Sequence, residues 1–242
     1  DTVRSDKPAV WVKYGIGHGV NVGDMVAQKV YELVLKTQER GVDEKTVFRL
    51  LGIMSGASIK TAEGQAMDMN LRESRNSTEE EYMNMVELKT GYYLTAPMVG
   101  GAIVAGASED VVKKIIGFGR KIGPAFQISD DLLDLTEGKG RGESGADIKE
   151  GKRSILVVHC AARCNAIEKK KLFSILNKSR KRTTKQDILL VKNLFEKYGS
   201  INYARETAGK LIGEGKKISN ELKPELREVL DYFADYLIKR KR

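Results

Sequence analysis

At 242 residues with 41% hydrophobic content, the chain is long enough for one large domain or two small ones, and one compact domain across residues 1–242 is the expectation. The formal charge of +9 raises nucleic-acid binding, yet much of the excess sits in KKK at 169–171, KSRKR at 178–182 and KRKR at 239–242. No helix-turn-helix, zinc-finger or RNA-binding signature accompanies these runs, so they read as a solvated basic face and no nucleic-acid partner is expected.

Four prolines are spread along the chain, and between them apolar residues recur at three- and four-residue spacing, which predicts an all-α protein. Periodicity begins near Val20, where Val22, Val26, Val30, Leu33 and Val34 form one stripe. A second helix is predicted over 45–71, followed by a loop at RESRNST, 72–78. Thr78 and Glu81 have the spacing of a capping box, opening a helix over 79–94. Pro97 and the small residues of MVGGAIVAGAS point to close helix packing, with a backbone approaching a ligand as the alternative. That run is also too short and too broken by glycine to cross a bilayer.

A long helix is predicted over 108–135, and the glycine-rich TEGKGRGESG at 136–145 must be a loop. Residues 154–169, 187–199, 201–222 and 224–240 read as further helices, amphipathic but with little chemistry. Cys160 and Cys164 lie four apart on the first of these, without the second pair that structural zinc needs and with no secretory signal ahead of them. They are read as reduced packing residues in a cytoplasmic protein. His18 and His159 are read as packing or surface residues.

Chemistry concentrates in FQISDDLLDLTEG, residues 126–138. On a helix Asp130 and Asp134 converge on one face, with Asp131 about 100° away. Three such carboxylates repel one another unless a cation neutralises them. With no histidine or cysteine near, oxygen-only ligation favours Mg²⁺, with Mn²⁺ as an alternative, over zinc. A bare DDxxD is equally an acidic turn on a solvated face, but Phe126, Ile128, Leu132, Leu133 and Leu135 imply partial burial. GADIKEGKRS then brings Asp147 together with Lys152 and Arg153, two cations suited to a polyphosphate, and ELKTG offers Lys89 beside Thr90. With GQAMD at 64–68 the set comprises acids for metal, lysines for phosphate and apolar walls.

Together FQxxDDxxD, GxDIxEGKR, ELKTG, GQxxD, VGD at 22–24 and the segment RSDKPAVWVKYG resemble the trans-isoprenyl diphosphate synthases, in order and along essentially the whole chain. The resemblance implies an isoprenoid-synthase-type bundle of antiparallel helices around a central cavity, and Mg²⁺-dependent head-to-tail condensation of isopentenyl diphosphate with an allylic diphosphate (dimethylallyl, geranyl or farnesyl). A farnesyl- or geranylgeranyl-sized product and a homodimer are expected. Asp130, Asp131 and Asp134 match the family's second aspartate-rich motif and are implied metal ligands. Lys89 and Lys152 are implied diphosphate contacts, with Arg4 reaching a diphosphate from the other side and Gln65 and Asp68 lining the cavity. Thr90 and Gln127 are implied to face the allylic carbon as it becomes cationic.

The family carries further helices and a first aspartate-rich motif ahead of the segment at Arg4, so the chain is expected to be part of a longer protein. The family's paired arginines stand here as Arg4 and Ser5, and its loop lysine has only Lys139 and Arg141 as candidates. A non-catalytic partner subunit of a synthase and a terpene cyclase of the same fold are the alternative readings.

Overall fold

The computed structural model describes residues 2–4, 7–136 and 144–239; the side chains of Arg4, Thr136, Ile238 and Lys239, and the loop candidates Lys139 and Arg141, lie outside what it describes. Its strands are a two-residue antiparallel pair, β1 (Val3–Arg4) and β2 (Lys7–Pro8). Helices supply the rest of the architecture, as expected. Helix α1 (Val10–Tyr14) and α2 (Ile16–Leu35) lead into a 3₁₀ turn, Lys36–Arg40, and then α3 (Glu44–Leu71) and α4 (Glu79–Val86). α2 starts four residues before the periodicity at Val20.

Local chemistry sets the helix starts. Asp43 caps α3 by accepting from the Thr46 N–H. Thr78 and Glu81 make both reciprocal bonds of the capping box at 3.1 and 2.7 Å. α4 does not run on as a regular helix. Residues Glu87–Gly91 form a π-turn before α5 (Tyr92–Val104) resumes the α-helical path. Of the small residues in α5, Gly100 would bring an added Cβ to 3.4 Å from Leu50 of α3, an ordinary contact, and nothing lies within 4 Å of one at Gly101, so the structure does not show the close packing expected of that run.

The 28-residue α6 (Glu109–Thr136) is the central element, flanked by α5, the π-turn and α4. After it come α7 (Ala146–Lys149), α8 (Ile155–Arg163), α9 (Ala166–Leu176), α10 (Lys185–Lys197), α11 (Ser200–Ser219) and α12 (Pro224–Lys239). α11 packs along α6, where Gly215 lets Ile122 and Phe118 approach. The continuous helix predicted over 154–169 is two helices: Cys164 is extended, and Asn165 caps α9 by accepting from the Glu168 N–H. An Asn that satisfies an orphan donor outcompetes helix continuation here.

Three apolar clusters meet on α6. The largest joins Tyr82, Met85, Val86, Ile128, Leu156, Leu172 and Phe195, the second joins Phe118 and Ile122 to Leu230, and the third joins Val99 to Ile115. Each fully buried large side chain contributes about 1.5–3 kcal/mol, so α6 is held rigidly from several sides. The stripe on α2 behaves otherwise. None of its twenty residues is buried.

Candidate active site

Two glycine contacts position the π-turn. A Cβ on Gly64 of α3 would lie 2.3 Å from the Lys89 nitrogen, and one on Gly123 of α6 would lie 2.3 Å from Gly91 Cα. The turn is therefore clamped between two helices that touch its backbone. An inserted residue in a helix rotates the side chains of the next turn, and such π-bulges recur at functional sites. Here the turn presents Lys89 toward Asp68 and Thr90 toward α6.

Lys89 Nζ donates to Asp68 Oδ2 at 2.7 Å, and Arg72 approaches the same oxygen at 3.5 Å. Asp68 is 1% exposed, and its other oxygen, Oδ1, is buried with no hydrogen-bond partner among the described residues. Thr90 donates to Gln127 Oε1 at 3.0 Å, and the Gln127 amide NH₂ donates to Asp131 Oδ1 at 3.0 Å. Lys152 Nζ donates to the same oxygen at 2.6 Å and to Asp147 Oδ2 at 3.3 Å. From the opposite side the Tyr82 hydroxyl donates to Asp131 Oδ2 at 2.9 Å.

Both oxygens of Asp131 are thus engaged by the protein. Asp134 is also buried, and its Oδ2 accepts from the Asp147 N–H at 3.0 Å, while Asp130 is half-buried. Burial alone would lower the Lys152 pKa, but the Asp131 and Asp147 carboxylates outweigh it and the net shift is upward. Burial pushes the Tyr82 hydroxyl well up, and the Asp131 charge adds to that. Lys152 stays an ammonium and Tyr82 stays a neutral donor.

Among the described residues no three His, Cys, Asp or Glu side chains form a ready cage for a metal. The oxygen-only set around Asp130, Asp131 and Asp134 instead fits a hard ion that shares its coordination with phosphate oxygens, because Mg²⁺ ordinarily binds through one or two carboxylates. Zinc is disfavoured by the same donors.

Of the residues singled out in the sequence, Thr90, Gln127, Asp131 and Lys152 are joined by hydrogen bonds, while Lys89, next to Thr90 in the chain, pairs with Asp68. Gln65 lies on an exposed part of α3 next to Gly64. Arg153 does not sit among the phosphate cations: it is 1% exposed and donates to Ser74 O, Gly151 O and Asn177 Oδ1 at 3.0, 2.5 and 2.7 Å, tying three loops together. His159 is a packing residue, stacked on Tyr203 and 3.0 Å from Ser200 Oγ. Tyr82 and Phe195, which line or brace the acids, carry no motif of their own. Their only sequence signal is an apolar helical face.

The family description polyprenyl synthetase matches residues 1–193. The chain is 33% identical over 243 residues to the short chain isoprenyl diphosphate synthase of Methanothermobacter thermautotrophicus, covering 99% of this chain and 72% of that one. Its fold superposes with a TM-score of 0.87 on the geranylgeranyl pyrophosphate synthetase of Pyrococcus horikoshii Ot3, at 31% identity over 99% of this chain and 72% of the other. The same TM-score relates it to a polyprenyl synthase of Caulobacter crescentus CB15 complexed with calcium and isoprenyl diphosphate, at 25% identity over 100% and 71% of the two chains.

Proposed function

The chain belongs to the polyprenyl synthetase family of prenyltransferases, and from that premise we propose that the polar region around Asp130 holds an allylic diphosphate while isopentenyl diphosphate extends it by one five-carbon unit. The single observation that supports this reading is the unbroken hydrogen-bonded path Lys152–Asp131–Gln127–Thr90, which links the cation assigned to phosphate with the dipoles assigned to the reacting carbon. A farnesyl- or geranylgeranyl-sized product, one domain, a cytoplasmic location and a homodimer complete the proposal.

Lys89 and Lys152 grip the departing diphosphate, with Gln65 lining its approach; the diphosphate contact of Arg4 rests on the resemblance alone. Asp130, Asp131 and Asp134 would hold the metal, Asp130 and Asp134 most directly because both oxygens of Asp131 already accept protein hydrogen bonds. Asp131 keeps Lys152 and Gln127 in register. When bound, Mg²⁺ or Mn²⁺ neutralises the charge that builds on the leaving group. The allylic C–O bond breaks with its electron pair departing on the diphosphate, and the alkene of isopentenyl diphosphate forms the new C–C bond. Loss of a proton to the released diphosphate restores a double bond. Thr90 and Gln127 offer oxygen dipoles to the developing cation in a region that excludes water.

The test is incubation with isopentenyl diphosphate, each allylic diphosphate in turn and Mg²⁺, with the products resolved by chain length. Lys89→Ala is expected to raise KM for the allylic substrate more than for isopentenyl diphosphate. Tight diphosphate binding without any prenyl product would favour the non-catalytic subunit, and a cyclised hydrocarbon would favour the terpene cyclase.

A further inference from the structure

The C-terminal third reads as amphipathic packing, yet one face of α10 underlies the aspartate motif. Ile188, Lys192 and Phe195 succeed one another at four- and three-residue spacing and so share that face. Ile188 meets Gly145, where an added Cβ would lie 2.6 Å from its methyl and where φ is +86°. Phe195, 1% exposed, lines the narrow space that also contains Asp131, Asp134, Asp147 and Lys152. Between them the half-buried Lys192 sends its ammonium to the end of α6. It donates to the Leu135 carbonyl and, at 2.6 Å, to Ser144 Oγ, which itself donates to the same carbonyl at 2.8 Å.

We propose that Lys192 is a positioning residue for the diphosphate site: it fixes the last turn of α6, which carries Asp134, to the returning segment that carries Asp147 and Lys152. The inference rests on the proposed binding of a metal diphosphate at these acids. The closure it seals is continuous. The Gly145 N–H donates to the Asp134 carbonyl at 2.7 Å, and the Asp147 N–H to the Asp134 carboxylate at 3.0 Å. Leu135 O is one of the α6 carbonyls left without an intrahelical donor, and a lysine there also meets the negative end of the helix dipole.

Charge and geometry make opposite predictions, which separates them. An ammonium that acted on the site only through its charge would oppose a divalent cation, so its removal would tighten metal binding. A lysine that holds the acids in register would do the reverse, because groups that orient metal ligands are worth about 10–100-fold in affinity.

The experiment is equilibrium binding of Mn²⁺ with inorganic diphosphate, read as the loss of the free-ion electron paramagnetic resonance signal, on wild type, Lys192→Met, Lys192→Arg and Ser144→Ala, each checked by thermal unfolding. We expect about tenfold weaker binding in Lys192→Met, recovery in Lys192→Arg and an intermediate loss in Ser144→Ala. Unchanged or tighter binding in folded Lys192→Met, with or without a lower Tm, overturns the proposal. No binding by the wild type would sink the proposed diphosphate site, and this inference with it. If Lys192→Met does not fold, Ser144→Ala decides by the same criterion.

Discussion

Adjacent carboxylates can have opposite duties, and Asp130 and Asp131 show how to separate them. Asp131 is the buried counter-charge of Lys152 and accepts from Gln127 and Tyr82, so Asp131→Asn leaves an ammonium without its nearest carboxylate. Breaking a buried pair by removing one partner costs about 3–5 kcal/mol, and chemical denaturation is expected to show a loss of that order. Asp130→Ala leaves those bonds in place; it should lower turnover by at least about two orders of magnitude with little change in stability. Comparable denaturation midpoints for the two variants would remove the distinction. A second residue-scale expectation concerns pH. Burial, helped by Arg163, holds the His159 pKa below its ordinary value despite the nearby Glu79. A folded-state value below the unfolded one means stability that is fully present above about pH 6.5 and is lost as pH falls. The Tm of wild type should therefore drop more between about pH 7.5 and about pH 5.5 than that of His159→Gln, and parallel profiles would exclude the role.

At the scale of elements, the π-turn explains why ELKTG and GQxxD occur together. Gly64 is glycine because Lys89 backbone occupies the space of a side chain, and backbone cannot swing aside. Gly52 lies on the same helix with nothing within 4 Å of an added Cβ. Gly52→Ala should then stabilise by up to about 1 kcal/mol through helix propensity, whereas Gly64→Ala should destabilise by about 1–3 kcal/mol through overpacking. Urea denaturation of the pair checks the sign, and two stabilising substitutions would mean that the turn is not clamped. This contrast also marks how far the sequence could be read. Helix existence was legible from periodicity, and the Thr78–Glu81 box from three-residue spacing, because both depend on neighbours in sequence. The motif residues Lys89, Gln127, Asp131 and Lys152 were legible as a set through resemblance. The π-turn was not, since the glycines that leave room for its backbone, Gly64 and Gly123, lie more than twenty residues away. Nor was the break at Cys164, where a capping Asn ends a helix whose apolar pattern continues. Lys192 escaped notice because a lysine on an amphipathic helix ordinarily marks the solvated face, and its partners are a carbonyl and a serine with no acidic residue to signal them.

At the scale of the whole molecule, α2 is the element that the rest of the fold does not explain. Val20, Met25, Val26 and Leu33 are 60, 61, 51 and 57% exposed, and an apolar hollow of about 500 Å³ opens between α1 and α2 beside Val10, Trp11 and Ile16. A helix of twenty residues spans about 30 Å, and apolar surface of that extent on a globular protein marks an interaction face. Beside the helices that the family carries ahead of Arg4, the proposed homodimer supplies an occupant of matching character, because a two-fold interface sets the same patch against itself and apolar side chains meet apolar side chains. On that reading wild type should sediment near twice its single-chain mass. Val26→Glu and Val30→Glu together would then bury four like charges across the two-fold, each costing several kcal/mol to desolvate, and the species should move toward the single-chain mass as protein is diluted. Gly23→Ala, which adds a methyl to the same helix in open space, should leave association unchanged or strengthen it. A wild type that sediments as one chain at all concentrations would mean that a second copy does not cover this face. A glutamate variant that stays dimeric would place the contact elsewhere.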